Sequence, residues 1–145
     1  MIDREFVFEK INLITRDLGR LSVFQRMTFP EIAEDFIKYS AVKLILMEII
    51  GRAIDINGHL ITELADTKMD IPKTYRETFL AVGRLGVLPE SFAGDISRSA
   101  GFRNAIVHEY NNLDMGLVYE TIGAAIEQYT SYCRYIMDFL DESAS

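Results

Sequence analysis

The chain of 145 residues has the length of one domain and is long enough to bury a hydrophobic core. Hydrophobic residues make up 49% and charged residues 26%, which is typical of globular proteins and excludes the disordered and fibrous classes. The net charge of -7 argues against broad nucleic-acid binding, because affinity for phosphate comes largely from Lys and Arg. We therefore expect a single domain over residues 1–145.

Three further features bear on location and redox chemistry. The longest stretch without Asp, Glu, Lys or Arg, from Ile56 to Thr62, is far shorter than the ~20 apolar residues of a membrane-crossing helix. Charged residues at positions 3–5 differ from the start of a secretory signal, so we expect a cytoplasmic protein without a membrane partner. The single cysteine, Cys133, excludes an internal disulfide and is interpreted as a small buried hydrophobe.

Apolar residues recur at intervals of three and four along the first half of the chain, which predicts helices rather than strands. The first amphipathic helix is predicted from Ile2 to about Phe24. Pro30 followed by Glu31 suits the first turn of a short second helix. A long helix is predicted from Asp35 to about Ala65, and its apolar middle, Leu44–Ile50, should be buried on several sides.

The second half of the chain has the same helical spacing. A helix is predicted from Lys73 to about Leu85, and Gly86 should end it because glycine readily adopts the left-handed conformation of a C-cap. The next helix should begin at Pro89 and end near Tyr110, and Asp114 should cap the last one, which runs from Met115 to about Leu140. The predicted fold is all-α, an up-and-down bundle of four main helices plus a short helix.

The segment Ser97–Tyr110, SRSAGFRNAIVHEY, concentrates the side chains suited to chemistry. Arg103 and His108 are five residues apart and so about 140° apart around a helix, whereas Asn104 shares a face with His108. The two can meet if the helix loosens, if the Arg stem bends across, or if each meets its partner from a second copy of the chain. Gly101 predicts a close approach by a neighbouring helix or a ligand.

An arginine and a histidine are together suited to metal-independent RNA cleavage. Histidine can take a proton from the 2′-hydroxyl and give one to the departing oxygen, and arginine can stabilise the pentacovalent phosphate. From the residue types alone, a helix cap or a hydrogen-bonded core group is the more common role for such residues, and both interpretations stay open. Arg98 is either a contact for the RNA backbone or a solvated charge.

Two other groups of residues have a chemical and a structural interpretation. Asp55 and His59 are spaced i, i+4, but two ligands make a weak metal site, so we predict no metal and favour a hydrogen bond between them, with a cleft-lining role left open. Tyrosines on the last helix could stack nucleobases, yet their helical spacing is more typical of core or dimer packing. These tyrosines are Tyr119, Tyr129, Tyr132 and Tyr135.

The sequence FRNAIVHEY at residues 102–110 resembles the R-N-x-x-V-H-x-Y signature of the HepT-like toxins, a branch of the HEPN superfamily of helical ribonucleases. The resemblance extends in order and spacing over about Ile2–Leu140. The other matching blocks are AIDINGH at 53–59, Pro72, YRETF at 75–79, LGVLP at 85–89 and DMGLVY at 114–119.

The resemblance implies the toxin of a type VII toxin-antitoxin system, a homodimer whose Arg and His motifs line a cleft at the interface. It implies that Arg103 and His108 are the catalytic pair of a metal-independent endoribonuclease without a cofactor, with Asn104 in support. Arg98 is a second supporting candidate because of its charge. It also implies that a cognate minimal nucleotidyltransferase antitoxin transfers AMP to Tyr110. The added bulk and negative charge would block the RNA phosphate.

Two alternatives compete with this hypothesis. The chain could be a non-catalytic helical partner, a substrate-binding or regulatory subunit, of a minimal nucleotidyltransferase, or an inert helical dimer, which the clustering of chemical side chains disfavours. The acidity does not exclude a ribonuclease, because six acidic residues and one basic residue lie after position 113, whereas residues 74–113 carry four of each. The motif therefore lies in a neutral segment, and the acidic last helix is free for a protein partner.

Overall fold

The computed structural model describes residues 1–108 and 112–144, and this part of the chain contains six helices and no strand. The helices are α1 Arg4–Gln25, α2 Phe29–Ala33, α3 Phe36–Leu64, α4 Tyr75–Arg84, α5 Glu90–His108 and α6 Met115–Ala144. The all-α prediction is therefore confirmed. Four helices of 19 residues or more form the bundle, and two shorter ones, α2 and α4, accompany them. The predicted end of α5 near Tyr110 lies outside the described residues.

Capping side chains set the start of the helices. Asp3 accepts a hydrogen bond from the backbone of Phe6 at 3.0 Å, so α1 begins at Arg4 rather than at the predicted Ile2. Thr74 accepts one from the Glu77 backbone at 3.1 Å and delays the start of α4 to Tyr75. The predicted cap of α6 is confirmed, because the carboxylate of Asp114 accepts from the second and third residues after it at 2.8 and 3.3 Å.

The turn between α4 and α5 depends on two glycines. Gly86 has a φ of 81°, which confirms the left-handed C-cap predicted for it. Gly83 was not singled out by the sequence pattern, yet a Cβ added there would lie 2.7 Å from the Cβ of Ala93. The absence of a side chain at Gly83 therefore lets α4 pack tightly against the first turns of α5.

Helix α3 is central and contacts all five other helices. Its inward residues form the middle of the core, as predicted for a central helix. Its apolar middle is buried on several sides, as predicted, and Leu44 lies on the open side at 51% exposure. None of the described helices combines the length and the hydropathy of a membrane-spanning segment.

The tyrosines of α6 pack inside the bundle. Tyr129 and Tyr132 are fully buried, so packing is confirmed and neither ring can stack on a nucleobase. The hydroxyl of Tyr132 donates to Oδ1 of buried Asn57 at 2.7 Å, and that amide donates to Oγ1 of Thr78 at 3.3 Å, which joins α6, α3 and α4. The other two tyrosines are partly buried, and Tyr119 donates to the carbonyl of Met27 at 2.8 Å.

An ion cluster that the sequence pattern did not predict joins α1 to α3. Asp17, on α1, is 1% exposed, and its carboxylate pairs with Arg52 of α3. It also lies 3.4 Å from Arg16 and 3.3 Å from Arg20, and Arg52 makes a further contact of 3.1 Å with Glu48. A buried carboxylate is thus enclosed by cations.

Cys133 should be almost unreactive in the folded protein. It is buried, as predicted, and burial raises the pKa of its thiol to about 12 despite a hydrogen bond with Thr15 that lowers it. At pH 8 its thiolate fraction should be about a thousandth of that of an ordinary thiol with a pKa of ~8.5. We expect negligible reaction with a chromogenic disulfide reagent in buffer and prompt reaction of one thiol in denaturant. Equal reaction rates in buffer and in denaturant would contradict the burial of the Cys133 thiol.

Candidate functional site

Helix α5 presents the predicted site residues on different sides. Its buried face packs into the core through small and branched residues, including Ala93, Ile96 and Ala100. Asn104 and His108 are exposed, and Arg103 is half-buried. The described part of the chain contains no hydrogen bond between Arg103 and His108. One copy therefore places the two on the same helix without joining them.

Arg103 lies in a defined setting formed by three helices. Its Cζ is 5.3 Å from the centroid of the Tyr75 ring, at the start of α4. On α3, a Cβ added to Gly51 would lie 3.5 Å from Nε of Arg103, so the guanidinium passes over a position that has no side chain. Nε is buried and has no hydrogen-bond partner among the described residues. The guanidinium is held by packing and cation–π contact rather than by a hydrogen bond at Nε.

A groove of about 600 Å³ runs between α5 and α6. Arg98 and Asp95 contribute charge to its lining, and Phe102, Ala105 and Leu117 contribute apolar surface. Arg98 is exposed, so its guanidinium is available to a ligand.

The expectation that a neighbouring helix approaches closely at Gly101 is wrong for the described residues of one chain. Gly101 lines the groove, and a Cβ added there would meet nothing within 4 Å. Exposed apolar side chains flank the connection from α5 to α6, namely Val107, Met115 and Leu117. This surface of α5 is thus open and partly apolar beside the exposed His108.

Asp55 and His59 contact α1 instead of each other. Nζ of Lys10 lies 3.1 Å from Oδ2 of Asp55, and Nε2 of His59 accepts a hydrogen bond from the backbone of Asp3 at 2.9 Å. An accepting Nε2 is a neutral imidazole nitrogen whose lone pair is already used. The predicted Asp–His hydrogen bond is replaced by these two contacts, which attach the start of α1 to α3.

The sequence pattern missed Tyr75 and Gly51 as the surroundings of Arg103. Helical periodicity predicts which residues share a face of one helix, but not which residue of another helix lies opposite. The matching block YRETF contains Tyr75 without giving it a role. Tyr110, the predicted AMP acceptor, lies outside the described residues.

A helical bundle with an arginine and a histidine on one helix is compatible with a helical ribonuclease. Comparison with known proteins identifies the family. The family model described as "Ribonuclease HepT-like" matches residues 11–136. The chain therefore belongs to the ribonuclease HepT-like family, which confirms the resemblance inferred from the motif. Membership of a ribonuclease family also bears out the expectation of an enzyme.

Two characterised relatives carry names that specify RNA substrates. The "tRNA nuclease HepT" of Aphanizomenon flos-aquae is 31% identical over 96% of this chain and 92% of that protein. The "mRNA nuclease HepT" of Shewanella oneidensis is 22% identical over 91% of this chain and 96% of that protein.

Solved structures of similar fold include toxin-antitoxin complexes. A crystal structure of a toxin-antitoxin with AMP-PNP has a TM-score of 0.81 at 20% identity, over 92% of this chain and 98% of the matched one. A tri-AMPylated HEPN toxin of Shewanella oneidensis, in complex with MNT antitoxin, has a TM-score of 0.80 at 22% identity. This match covers 95% of this chain and 99% of the toxin chain. At these identities the likeness establishes the fold, which is the HEPN-like bundle that was predicted.

Proposed function

We propose that the chain is the toxin of a toxin-antitoxin pair and cleaves RNA without a metal, at a site that two copies of the chain build together in the cytoplasm. The observation that carries the proposal is the half-buried, pre-oriented Arg103 on the same helix as the exposed His108, within a ribonuclease family. Relatives named as tRNA and mRNA nucleases, and toxins solved with their antitoxins, support it.

The proposed reaction is transfer of the phosphodiester to the neighbouring 2′-oxygen. His108 of one copy removes the proton of the 2′-hydroxyl, and the oxygen attacks phosphorus. The bond from phosphorus to the 5′-oxygen breaks, and the protonated His108 gives its proton to the leaving oxygen beside Arg103 of the second copy. Arg103 stabilises the charge of the pentacovalent phosphate, and Asn104 and Arg98 bind the RNA beside it.

Three observations support a site shared between two copies. Arg103 and His108 lie about 140° apart on α5, and no hydrogen bond joins them in the described chain. Gly101 leaves open space on the helix, and apolar side chains beside His108, such as Val107, are exposed. A second copy packed on α5 would cover this surface and bring a second set of motif residues to the same cleft.

The product ends test the proposed function. Wild-type protein incubated with total RNA and a chelator should produce fragments with 2′,3′-cyclic phosphate and 5′-hydroxyl ends. Cleavage that requires added divalent metal, or that leaves 5′-phosphate ends, would contradict the mechanism. Protein that binds a nucleotidyltransferase and cleaves no RNA would instead support the alternative of a non-catalytic binding partner.

Replacing Tyr110 by phenylalanine should abolish AMP transfer to the chain. We propose that the cognate minimal nucleotidyltransferase modifies this hydroxyl and thereby places negative charge beside His108. Mass spectrometry of the co-expressed pair should show added AMP on wild type and on a Tyr135→Phe control, and none on Tyr110→Phe. Retained modification in Tyr110→Phe would assign the acceptor to another residue.

A further inference from the structure

The guanidinium of Arg103 lies over the ring of Tyr75. We infer that Tyr75 is a positioning residue that holds Arg103 in the orientation needed to stabilise the pentacovalent phosphate; the inference rests on the proposed function. The first observation is distance, since Cζ of Arg103 lies 5.3 Å from the ring centroid. This is within the ~6 Å over which a cation is attracted to an aromatic face.

The second observation is that Nε of Arg103 has no hydrogen-bond partner in the described parts of the chain. This atom is buried, and it lies against the bare backbone of Gly51 on α3. An arginine side chain has many rotamers, and a hydrogen bond at Nε usually helps to fix one of them. Here Tyr75 and Gly51 supply that restriction by packing, so removal of the ring should free the guanidinium to adopt other orientations.

The burial of Nε also restricts how the phosphate can approach. An arginine can meet a phosphate either through Nε and one Nη or through its two Nη atoms. Because Nε has no accessible surface, Arg103 must use Nη1 and Nη2. The ring of Tyr75 thus presents the end of the arginine fork to the RNA.

Tyr75 itself is fixed by the start of α4. Thr74 caps the helix by accepting from the Glu77 backbone at 3.1 Å, and Oγ1 of Thr78 donates to the carbonyl of Tyr75 at 2.6 Å. The Tyr75 side chain is 47% exposed, so the bundle does not need it as core. A side chain with a fixed backbone, no core role and one cationic neighbour is suited to positioning that neighbour.

The kinetic test compares Tyr75→Leu, which removes the ring, with Tyr75→Phe, which keeps it. Tyr75→Leu should lower kcat for RNA cleavage by about 10- to 100-fold, because small misplacements of a pre-oriented group cost this much. KM should stay within about twofold, and Tyr75→Phe should restore most of kcat. Phe8→Leu, an exposed aromatic on α1, is the matched control and should behave as wild type.

A second measurement does not depend on cleavage. In ¹H–¹⁵N spectra the Nε–H of Arg103, assigned by its loss in Arg103→Lys, should show a ring-current shift and slow solvent exchange. Both features should persist in Tyr75→Phe and disappear in Tyr75→Leu. An Nε–H signal that is identical in Tyr75→Leu and wild type would overturn the contact.

The outcomes separate this inference from the proposed function. Wild-type protein that cleaves no RNA contradicts the proposed function. Active wild type with an equally active Tyr75→Leu variant contradicts the inference alone. A raised KM with unchanged kcat in Tyr75→Leu also overturns it, because that result assigns the ring to RNA binding instead of arginine positioning.

Discussion

Replacing His108 by alanine should lower the rate of RNA cleavage by about 10²- to 10⁴-fold, the range that a positioned general acid or base contributes. Because His108 serves in both proton transfers, the loss should lie at the upper end of this range. The side chain is exposed, so its removal takes nothing from the core and the bundle should stay folded. Initial rates on a short RNA, measured beside a thermal unfolding curve, check both statements.

The other histidine is the matched control. His59 accepts a hydrogen bond from the Asp3 backbone at 2.9 Å, so His59→Ala should affect the attachment of α1 and leave the cleavage rate close to wild type. Arg103→Lys keeps the charge but loses the planar fork, so it should also cleave poorly. Wild-type rates in His108→Ala would overturn the assigned role of that residue.

Replacing Asp17 by alanine should produce the largest loss of stability, a reduction of about 3 kcal/mol in the free energy of unfolding. The carboxylate is 1% exposed and is the acceptor that Arg52 meets across the α1–α3 interface. Its removal leaves a largely buried guanidinium whose remaining acidic contact, among the residues that the structure describes, is Glu48 at 3.1 Å. Urea denaturation at neutral pH measures the change. The slope of the free energy of unfolding against urea concentration should be the same for the variant and the wild type.

The cluster offers two controls for the stability measurement. Arg20→Ala removes an exposed partner at 3.3 Å and should cost less than about 1 kcal/mol, as is usual for surface ion pairs. The double variant Asp17→Leu with Arg52→Leu removes both charges and should recover most of the stability that Asp17→Ala loses. An Asp17→Ala protein as stable as Arg20→Ala would show that the buried pair contributes little.

Sequence patterns predicted the helices well because their signals are local. Asp114 precedes an apolar run and caps α6, and Gly86 follows one and adopts the predicted positive φ. The errors at helix starts have the same origin. Asp3 and Thr74 are N-caps, and the predictions placed each cap and the residue before it inside the helix. Such errors move a boundary by one or two residues without changing the fold.

Contacts between helices could not be predicted in this way. The exposure of Leu44, the pairing of Asp17 with Arg52 and the tight packing at Gly83 all depend on which helices face each other. Periodicity carries no information on that choice. Family resemblance pointed to Arg103 and His108, but the surroundings of the arginine required coordinates.

Subunit complementation tests the central claim most directly. Arg103→Ala and His108→Ala chains, each inactive alone, should regain cleavage when co-expressed and purified as a mixed dimer, because one of its two sites then has an intact arginine from one copy and an intact histidine from the other. The expected activity is up to about half that of a wild-type dimer, for one working site of two. A mixed dimer as inactive as either parent would contradict a catalytic site shared between two copies.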